Sequence, residues 1–330
     1  MNEITSYSSL LCGVPFRLYS ADVKLLGALA RLWSEVFVSR PVDDKAALPK
    51  NGARLRISEG SDLPADDHVG QVIQLSPVMS VRHWASTSWL ETVGAHLVAS
   101  ADASVLKVDA RFWDVAIGQQ RDFLLNAALI LLQPFGRHGI HASAATLDGN
   151  GVLFTALSGS GKTTSTLSLI AHGWSYLSDD ALVLSSDGTS VRAHALRRGF
   201  SWTEDSRSRF QSLYPDDGQW LPGREGKWLA KLGGTALRRQ ETTCVPKLVL
   251  FPEVAHTAHS RLEPVEGPSA LIRLMEQSSG LLARPVATAD QMKMLGLLVD
   301  QVRTFRFLAG RDVLDDAGAV SDLIQKAWSA

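Results

Sequence analysis

The run Ala156-Leu157-Ser158-Gly159-Ser160-Gly161-Lys162-Thr163 constrains this chain more than any other stretch. It sits between Val152–Ala156, an apolar segment that reads as a strand, and Lys162–His172, where Leu167, Ile170 and Ala171 recur at helical spacing and Gly173 is placed to end the helix. The phosphate-loop pattern G-x-x-x-x-G-K-[ST] is met everywhere except its first position, where Ala156 replaces glycine. A loop that holds phosphate must turn successive backbone N–H groups inward, and Gly159 and Gly161 permit that curl. Lys162 supplies a point charge for the β- and γ-phosphates, and the hydroxyl of Thr163 suits Mg²⁺. The helix that starts at Lys162 turns its positive dipole end toward the same anion. A nucleoside triphosphate with Mg²⁺ is the expected ligand.

Asp179-Asp180 stands 17 and 18 residues after Lys162, at the end of the strand-like Trp174–Ser178. In a parallel sheet that strand end lies beside the phosphate loop. Neighbouring strand residues point to opposite faces, so the two carboxylates are expected to do different jobs, one accepting a proton and the other assisting the metal. The apolar Ala181-Leu182-Val183-Leu184 that follows makes an idle pair costly to bury. His141 precedes a hairpin signalled by Asp148-Gly149-Asn150-Gly151.

At about 150 residues per domain, 330 residues predict two domains. Residues 1–120 read as an N-terminal α/β domain: a loose strand pattern at Cys12–Tyr19, a helix over Leu25–Val36 after an N-cap region at Ser20-Ala21-Asp22, and short strands around Leu55-Arg56-Ile57 and Val105–Phe112. Residues 121–330 read as the catalytic domain, opening on an apolar helix over Phe123–Phe135. Its further elements are a strand at Ile140–Leu147, a strand at Lys247–Phe251, helices at Ser269–Gln277 and Asp290–Arg303, a strand at Thr304–Leu308 and a closing helix at Asp316–Trp328. Residues 203–235, polar and rich in Gly, Pro and aromatics, are longer than an ordinary connection and suit a lid. Thirty-three Lys and Arg against 34 Asp and Glu leave a formal charge of −1, which gives no electrostatic case for nucleic acid or an anionic membrane. Two cysteines cannot build a disulfide framework or a four-thiolate metal site. The first residues lack the basic start and apolar run of a signal peptide, and the 13-residue Phe123–Phe135 falls short of the roughly 20 a membrane span needs. The expected location is cytoplasmic.

Taken together, His141, the loop Ala156–Thr163 and Asp179-Asp180 resemble the catalytic domain of the HPr kinase/phosphorylase family and its kinase-like relatives. In that family a histidine lies fifteen residues before the first loop position and an Asp-Asp pair follows the helix, and both offsets are met here. Leu157 to Thr164 is also similar to the kinase motif of phosphoenolpyruvate carboxykinases, which share that core. The resemblance covers residues 138–185 and, more loosely, 245–330. It implies that Ser158, Gly159, Ser160, Gly161, Lys162, Thr163 and Thr164 bind ATP and that Thr163 and Asp180 serve the metal. It further implies that Asp179 is the general base, that His141 sits near the transferred phosphoryl, and that Lys227 in the lid helps to close over the nucleotide.

The family's bifunctional members carry a glutamate in a signature whose nearest counterpart here is Ala195-Leu196-Arg197-Arg198-Gly199-Phe200, which lacks it. The resemblance therefore implies a kinase acting on a hydroxyl other than that of HPr. The expected acceptor is a serine of a peptide or protein, such as a ribosomal precursor peptide, with a small hydroxylated metabolite as the alternative and self-association as a further possibility. A non-catalytic nucleotide switch explains the loop equally well but leaves the Asp pair and His141 without a reason. Carboxykinase-type decarboxylation would need an additional Arg/Lys/His constellation that the sequence does not present.

Overall fold

The computed structural model describes residues 5–42, 52–60, 71–84, 86–100, 103–157, 159–213, 221–222, 228–231, 233, 239–278 and 285–329. The chain is a mixed α/β protein that divides into two compact units, Met1–Arg137 with Gly280–Thr288 and His138–Ser279 with Ala289–Ala330. The division falls at 137/138 and not at the expected 120/121. The apolar helix runs from Ile117 to Leu132 and packs against the helix and strands that precede it, so it closes the first unit.

Among its described residues the first unit carries one nine-stranded mixed sheet. Its strands are β1 (Thr5–Leu11), β2 (Val14–Ser20), β3 (Ser39–Pro41), β4 (Ala53–Glu59), β5 (Gln71–Ser76), β6 (Met79–Trp84), β7 (Thr87–Thr92), β8 (Ala95–Ala99) and β9 (Ser104–Val108), in the order β3-β1-β2-β4-β9-β8-β7-β6-β5. Strand β2 alternates buried and half-buried residues along its length, the period-2 signature of a strand with one covered face. Helix α1 (Val23–Val36) starts where expected, because the Asp22 carboxylate accepts from the N–H groups of Lys24 and Leu25. It buries Leu26, Leu29, Leu32, Trp33 and Val36 against the sheet. The short α2 (Ala110–Asp114), capped by Asp109, takes over the end of the expected strand Val105–Phe112, and α3 (Ile117–Leu132) follows.

The second unit carries the phosphate-loop motif. Its main sheet contains β10 (His138–Ile140), β11 (Ser143–Leu147), β12 (Asn150–Phe154), β13 (Ser175–Ser178), β14 (Leu182–Ser186) and β15 (Val191–Ala195). A small sheet follows, made of β16 (Phe200–Trp202), β17 (Leu221–Pro222) and β18 (Trp228–Ala230), and the main sheet is completed by β19 (Thr243–Val254), β20 (Arg261–Pro264) and β21 (Arg303–Ala309). The main order is β10-β14-β15-β19-β12-β11-β13, with β21 on the long β19 and β20 on β21. Strands β12, β19 and β21 are parallel neighbours. Strand β13 does not pair with β12. It runs in the same direction with the antiparallel β11 between them, so both strand ends reach the same sheet edge.

Two local signals set this geometry. The β11–β12 hairpin turns through Asp148 and Gly149, both left-handed at φ 51° and 77°, as a type I′ turn requires. The single strand expected over Ile140–Leu147 is broken at His141-Ala142 into β10, which pairs with β14, and β11, which pairs with β12 and β13. Helix α4 (Lys162–Ala171) returns over the sheet and buries Leu167, Leu169 and Ile170 in a core with Phe154, Trp174, Tyr176, Phe200, Trp202 and Phe307. The remaining helices are α5 (Glu204–Arg209), α6 (Gly267–Glu276), α7 (Pro285–Gln301), α8 (Asp312–Asp315) and α9 (Ala317–Ser329). Helix α9 packs on α4, and the buried Trp174 Nε1 donates to Ser321 Oγ at 2.9 Å. Among the described residues no helix is long and apolar enough to cross a membrane.

Strand β12 approaches the start of β19 closely, and a Cβ on Gly151 would stand 2.3 Å from Cys244 Sγ. Gly151→Ala is expected to destabilise the protein by about 1–3 kcal/mol through overpacking. The same change in a Cys244→Ala background is expected to cost clearly less, and the pair can be checked as a double-mutant cycle of chemical denaturation. Equal costs in the two backgrounds would contradict the steric account.

Candidate functional site

The site is assembled where β12, β13 and the broken strand β10/β11 run out at one edge. Thr155 follows β12. Its N–H donates to Leu250 O at 3.0 Å, and its Oγ1 donates to the carbonyl of His141 at 3.2 Å. This ties the entrance of the phosphate loop to the break in the neighbouring strand. The loop then curls through left-handed Gly159 (φ 86°) and Gly161 (φ 93°), a backbone path that an L side chain would strain. Ser160 Oγ donates to Leu157 O at 2.6 Å inside the curl.

Lys162 is only 7% exposed, and its ammonium donates to the carbonyls of Ala156 at 2.6 Å and Leu157 at 3.1 Å. The charge is thereby drawn into the hollow of the loop and away from bulk water. Helix α4 begins at Lys162 with Gly161 as N-cap, and no side chain caps it. An uncapped first turn leaves its N–H groups for an anion, which is the arrangement of a phosphate site. Ser143 Oγ and Thr166 Oγ1, 2.8 Å apart and buried, pin the helix to β11.

At the end of β13 the chain reverses in a three-residue turn. Asp180 is left-handed at φ 67°, and Ala181 N donates to Asp179 O at 2.8 Å. A non-glycine residue in this region stores on the order of 1–3 kcal/mol, and such strain persists where neighbours over-determine it. Here Ser178 does so: its Oγ donates to Ala181 O at 2.8 Å and accepts from Arg197 N at 3.0 Å.

The turn sends the two carboxylates into different surroundings. Asp179 is 1% exposed, with Oδ1 accepting from Thr163 Oγ1 at 2.9 Å and Oδ2 from Ser201 N at 2.9 Å. Burial, and next the nearby Asp180 charge, push its carboxyl up to about 6. The Asp180 side chain is 42% exposed. Its Oδ2 accepts from Arg197 Nη1 at 2.8 Å, and its Oδ1 faces His141 Nδ1 at 3.2 Å. His141 Nδ1 also lies 2.7 Å from the backbone carbonyl of Asp180. Burial lowers the His141 imidazole below its usual value, against the opposing pull of the Asp180 charge.

The structure thus gathers Gly159, Ser160, Gly161, Lys162, Thr163, Thr164, His141, Asp179 and Asp180 at one place. Ser158 and Lys227 lie outside the described residues, as do Tyr214, Trp220 and Arg224 of the expected lid. The pairing within the site departs from the expected division of labour. The residue next to the loop hydroxyl is Asp179, not Asp180, and it is the deeply buried one of the two.

Arg197 is a member that the sequence analysis did not single out. It is locked from both sides, since Tyr176 Oη donates to its carbonyl at 3.1 Å and Ser178 Oγ receives its N–H. The only sequence signal was its place in the segment that departs from the family signature. Trp202 is fully buried against Phe200 and belongs to the core.

Among the described residues no group of three or more His, Cys, Asp or Glu side chains is placed to hold a metal by itself. A site built on one hydroxyl and one carboxylate suits Mg²⁺ shared with phosphate oxygens, because that ion keeps waters and takes few protein ligands. The donor set of Thr163 and Asp179 fits it.

No family model matches the sequence, and no curated protein matches it either. Among solved structures, an HPr(Ser) kinase/phosphatase from Coxiella burnetii is similar at 14% identity, over 57% of this chain and 97% of that one, with a TM-score of 0.31. The likeness is weak.

The raised Asp179 carboxyl has a thermodynamic consequence. An acid whose folded-state value, about 6, exceeds its ordinary 3.8 binds its proton more tightly when folded. It therefore favours folding at low pH, and that contribution is lost as pH climbs from about 4 to about 6. The stability of Asp179→Asn relative to wild type is expected to rise across this window, by on the order of 3 kcal/mol. Thermal unfolding of both proteins in nucleotide-free buffer from pH 4 to 7 measures it. A difference that does not change with pH would contradict the burial argument.

Proposed function

We propose that this chain is an ATP- and Mg²⁺-dependent phosphotransferase that moves the γ-phosphoryl group to an alcohol. The observation that carries this reading is the coupling of two groups across the sheet edge. A lysine ammonium is folded into a glycine-rich curl, and the next residue's hydroxyl donates to a buried carboxylate at 2.9 Å. By donating its proton to Asp179, Thr163 keeps its oxygen lone pairs for a cation.

Each residue then has a task. The loop amides and Lys162 bind and orient the β- and γ-phosphates, holding the reacting phosphorus at a fixed position. Thr163 and Asp179 hold the metal, which when bound supplies positive charge against the γ-phosphoryl oxygens. The half-exposed His141–Asp180 pair faces the acceptor, in place of the sequence expectation that Asp179 does so. A buried carboxylate with both oxygens already bonded is poorly placed to meet an incoming hydroxyl. A nucleotide switch uses the loop but gives no task to this second, acceptor-side pair.

The acceptor we favour is a serine of a peptide or protein, with a small hydroxylated metabolite as the alternative, both following from the resemblance of the motifs. Incubation of the purified protein with γ-labelled ATP and host extract separates them, because label appears on a polypeptide in one case and on a small molecule in the other. Tight ATP binding with label on nothing would favour the switch.

Lys162→Ala is expected to weaken ATP binding about 10- to 100-fold, the worth of a charge-assisted contact to phosphate, as measured by calorimetry. Asp179→Asn is expected to bind ATP nearly as wild type while requiring more Mg²⁺ for half-maximal turnover. An unchanged Mg²⁺ requirement would remove Asp179 from the metal side.

A further inference from the structure

We infer that the Nε2 atom of His141 takes the proton of the acceptor hydroxyl, and that Asp180 and Arg197 are the positioning residues that prepare it. The inference rests on the phosphotransferase reading above and specifies its acceptor side.

The hydrogen-bond geometry fixes the tautomer. Nδ1 lies 2.7 Å from the carbonyl oxygen of Asp180, and a carbonyl oxygen only accepts, so Nδ1 carries the hydrogen. The second group facing Nδ1, Asp180 Oδ1 at 3.2 Å, is an acceptor as well when ionised. In a neutral imidazole the lone pair then belongs to Nε2. The order carboxylate, Nδ1–H, Nε2 lone pair is that of a histidine base oriented by an acid.

The carboxylate is itself held. Arg197 Nη1 binds Asp180 Oδ2 at 2.8 Å, so Oδ1 is the oxygen turned to the ring. Arg197 is fixed through its backbone by Tyr176 and Ser178, residues of the strand that delivers the Asp pair. The strained turn at Asp180 lets both its backbone carbonyl and its side chain address the same nitrogen.

Neither carboxylate competes well for this task. Asp179 is 1% exposed and bonded through both oxygens, and Asp180 spends one oxygen on Arg197 and the other on the ring. The His141 side chain is 37% exposed, and its own carbonyl is tied to Thr155 at the mouth of the loop.

In the proposed step the acceptor O–H bond breaks and its proton goes to Nε2. The acceptor oxygen bonds to the γ-phosphorus of the nucleoside triphosphate, and the bond from that phosphorus to the β,γ-bridging oxygen breaks. The products are the phosphorylated acceptor and a nucleoside diphosphate, with an imidazolium balanced by Asp180.

Two measurements on the full chain test this. In protein labelled with ¹⁵N-histidine, long-range ¹H–¹⁵N correlation spectra, with His141 assigned by its loss in His141→Gln, should show the Nδ1–H tautomer. An Nε2–H tautomer would overturn the inference whether or not nucleotide binds. With γ-labelled ATP and water as the acceptor, His141→Gln is expected to lower kcat about 10²- to 10⁴-fold with the Kd for ATP unchanged. Asp180→Asn should reduce kcat and shift the His141 tautomer, since the Asn amide can donate toward Nδ1. Arg197→Lys should recover part of the turnover that Arg197→Ala loses. Undiminished turnover in His141→Gln overturns the inference and leaves the phosphotransferase reading standing, whereas a wild-type protein that does not bind ATP overturns both.

Discussion

The hydrogen bond from Thr163 to Asp179 joins two segments that the chain brings together only by folding the whole second unit. One is the first turn of α4, and the other is the end of a strand separated from β12 by an intervening antiparallel neighbour. For them to meet, β11 must pair with both strands and α4 must cross the sheet and return. The bond is also costly to leave unmade. Asp179 is nine-tenths or more buried, and an ionised carboxylate there depends on the Thr163 hydroxyl and the Ser201 N–H for its stabilisation. Loop, helix and strand end are coupled through one desolvated group.

From this constraint follows the division between the carboxylates. The left-handed turn at Asp180 sends the adjacent carboxylates in different directions, although the Asp180 charge still raises the Asp179 carboxyl. Asp179 goes inward to the loop hydroxyl, and Asp180 goes outward to Arg197 and His141. One acidic dipeptide thereby meets two surroundings, the loop hydroxyl on one side and the Arg197–His141 pair on the other. The guanidinium of Arg197, 11% exposed, offsets the charge that burial of Asp179 leaves nearby.

Much of the second unit was legible because its signals are local. The helix Lys162–Ala171 begins and ends within a residue of the spacing argument, since glycines bound it and apolar residues repeat along it. The Asp148-Gly149 turn and the Asp22 cap were readable for the same reason. What escaped was set by distant contacts. His141-Ala142-Ser143-Ala144 reads as an unbroken strand, yet pairing with β14 on one side and with β12 and β13 on the other breaks it at His141. Arg197 carried no signal of its own, because nothing in its neighbourhood points to Asp180, 17 residues away. The meander β5–β8 was not read at all. Its residues alternate only loosely, and the apolar Val72 and Trp84 are exposed, which blurs the period-2 pattern. Alternation on a strand says that the two carboxylates diverge, but not which one turns inward.

The proposed chemistry requires a triphosphate seated in the curl between β12 and α4. A crystal structure of the protein with a non-hydrolysable ATP analogue and Mg²⁺ tests this most directly. It should show β- and γ-phosphate oxygens within hydrogen-bonding distance of the amides of Gly159 to Thr163 and of Lys162 Nζ, with the ion against Thr163 Oγ1. Nucleotide density elsewhere, or a loop that keeps Lys162 on the carbonyls of Ala156 and Leu157 at saturating ligand, would contradict it.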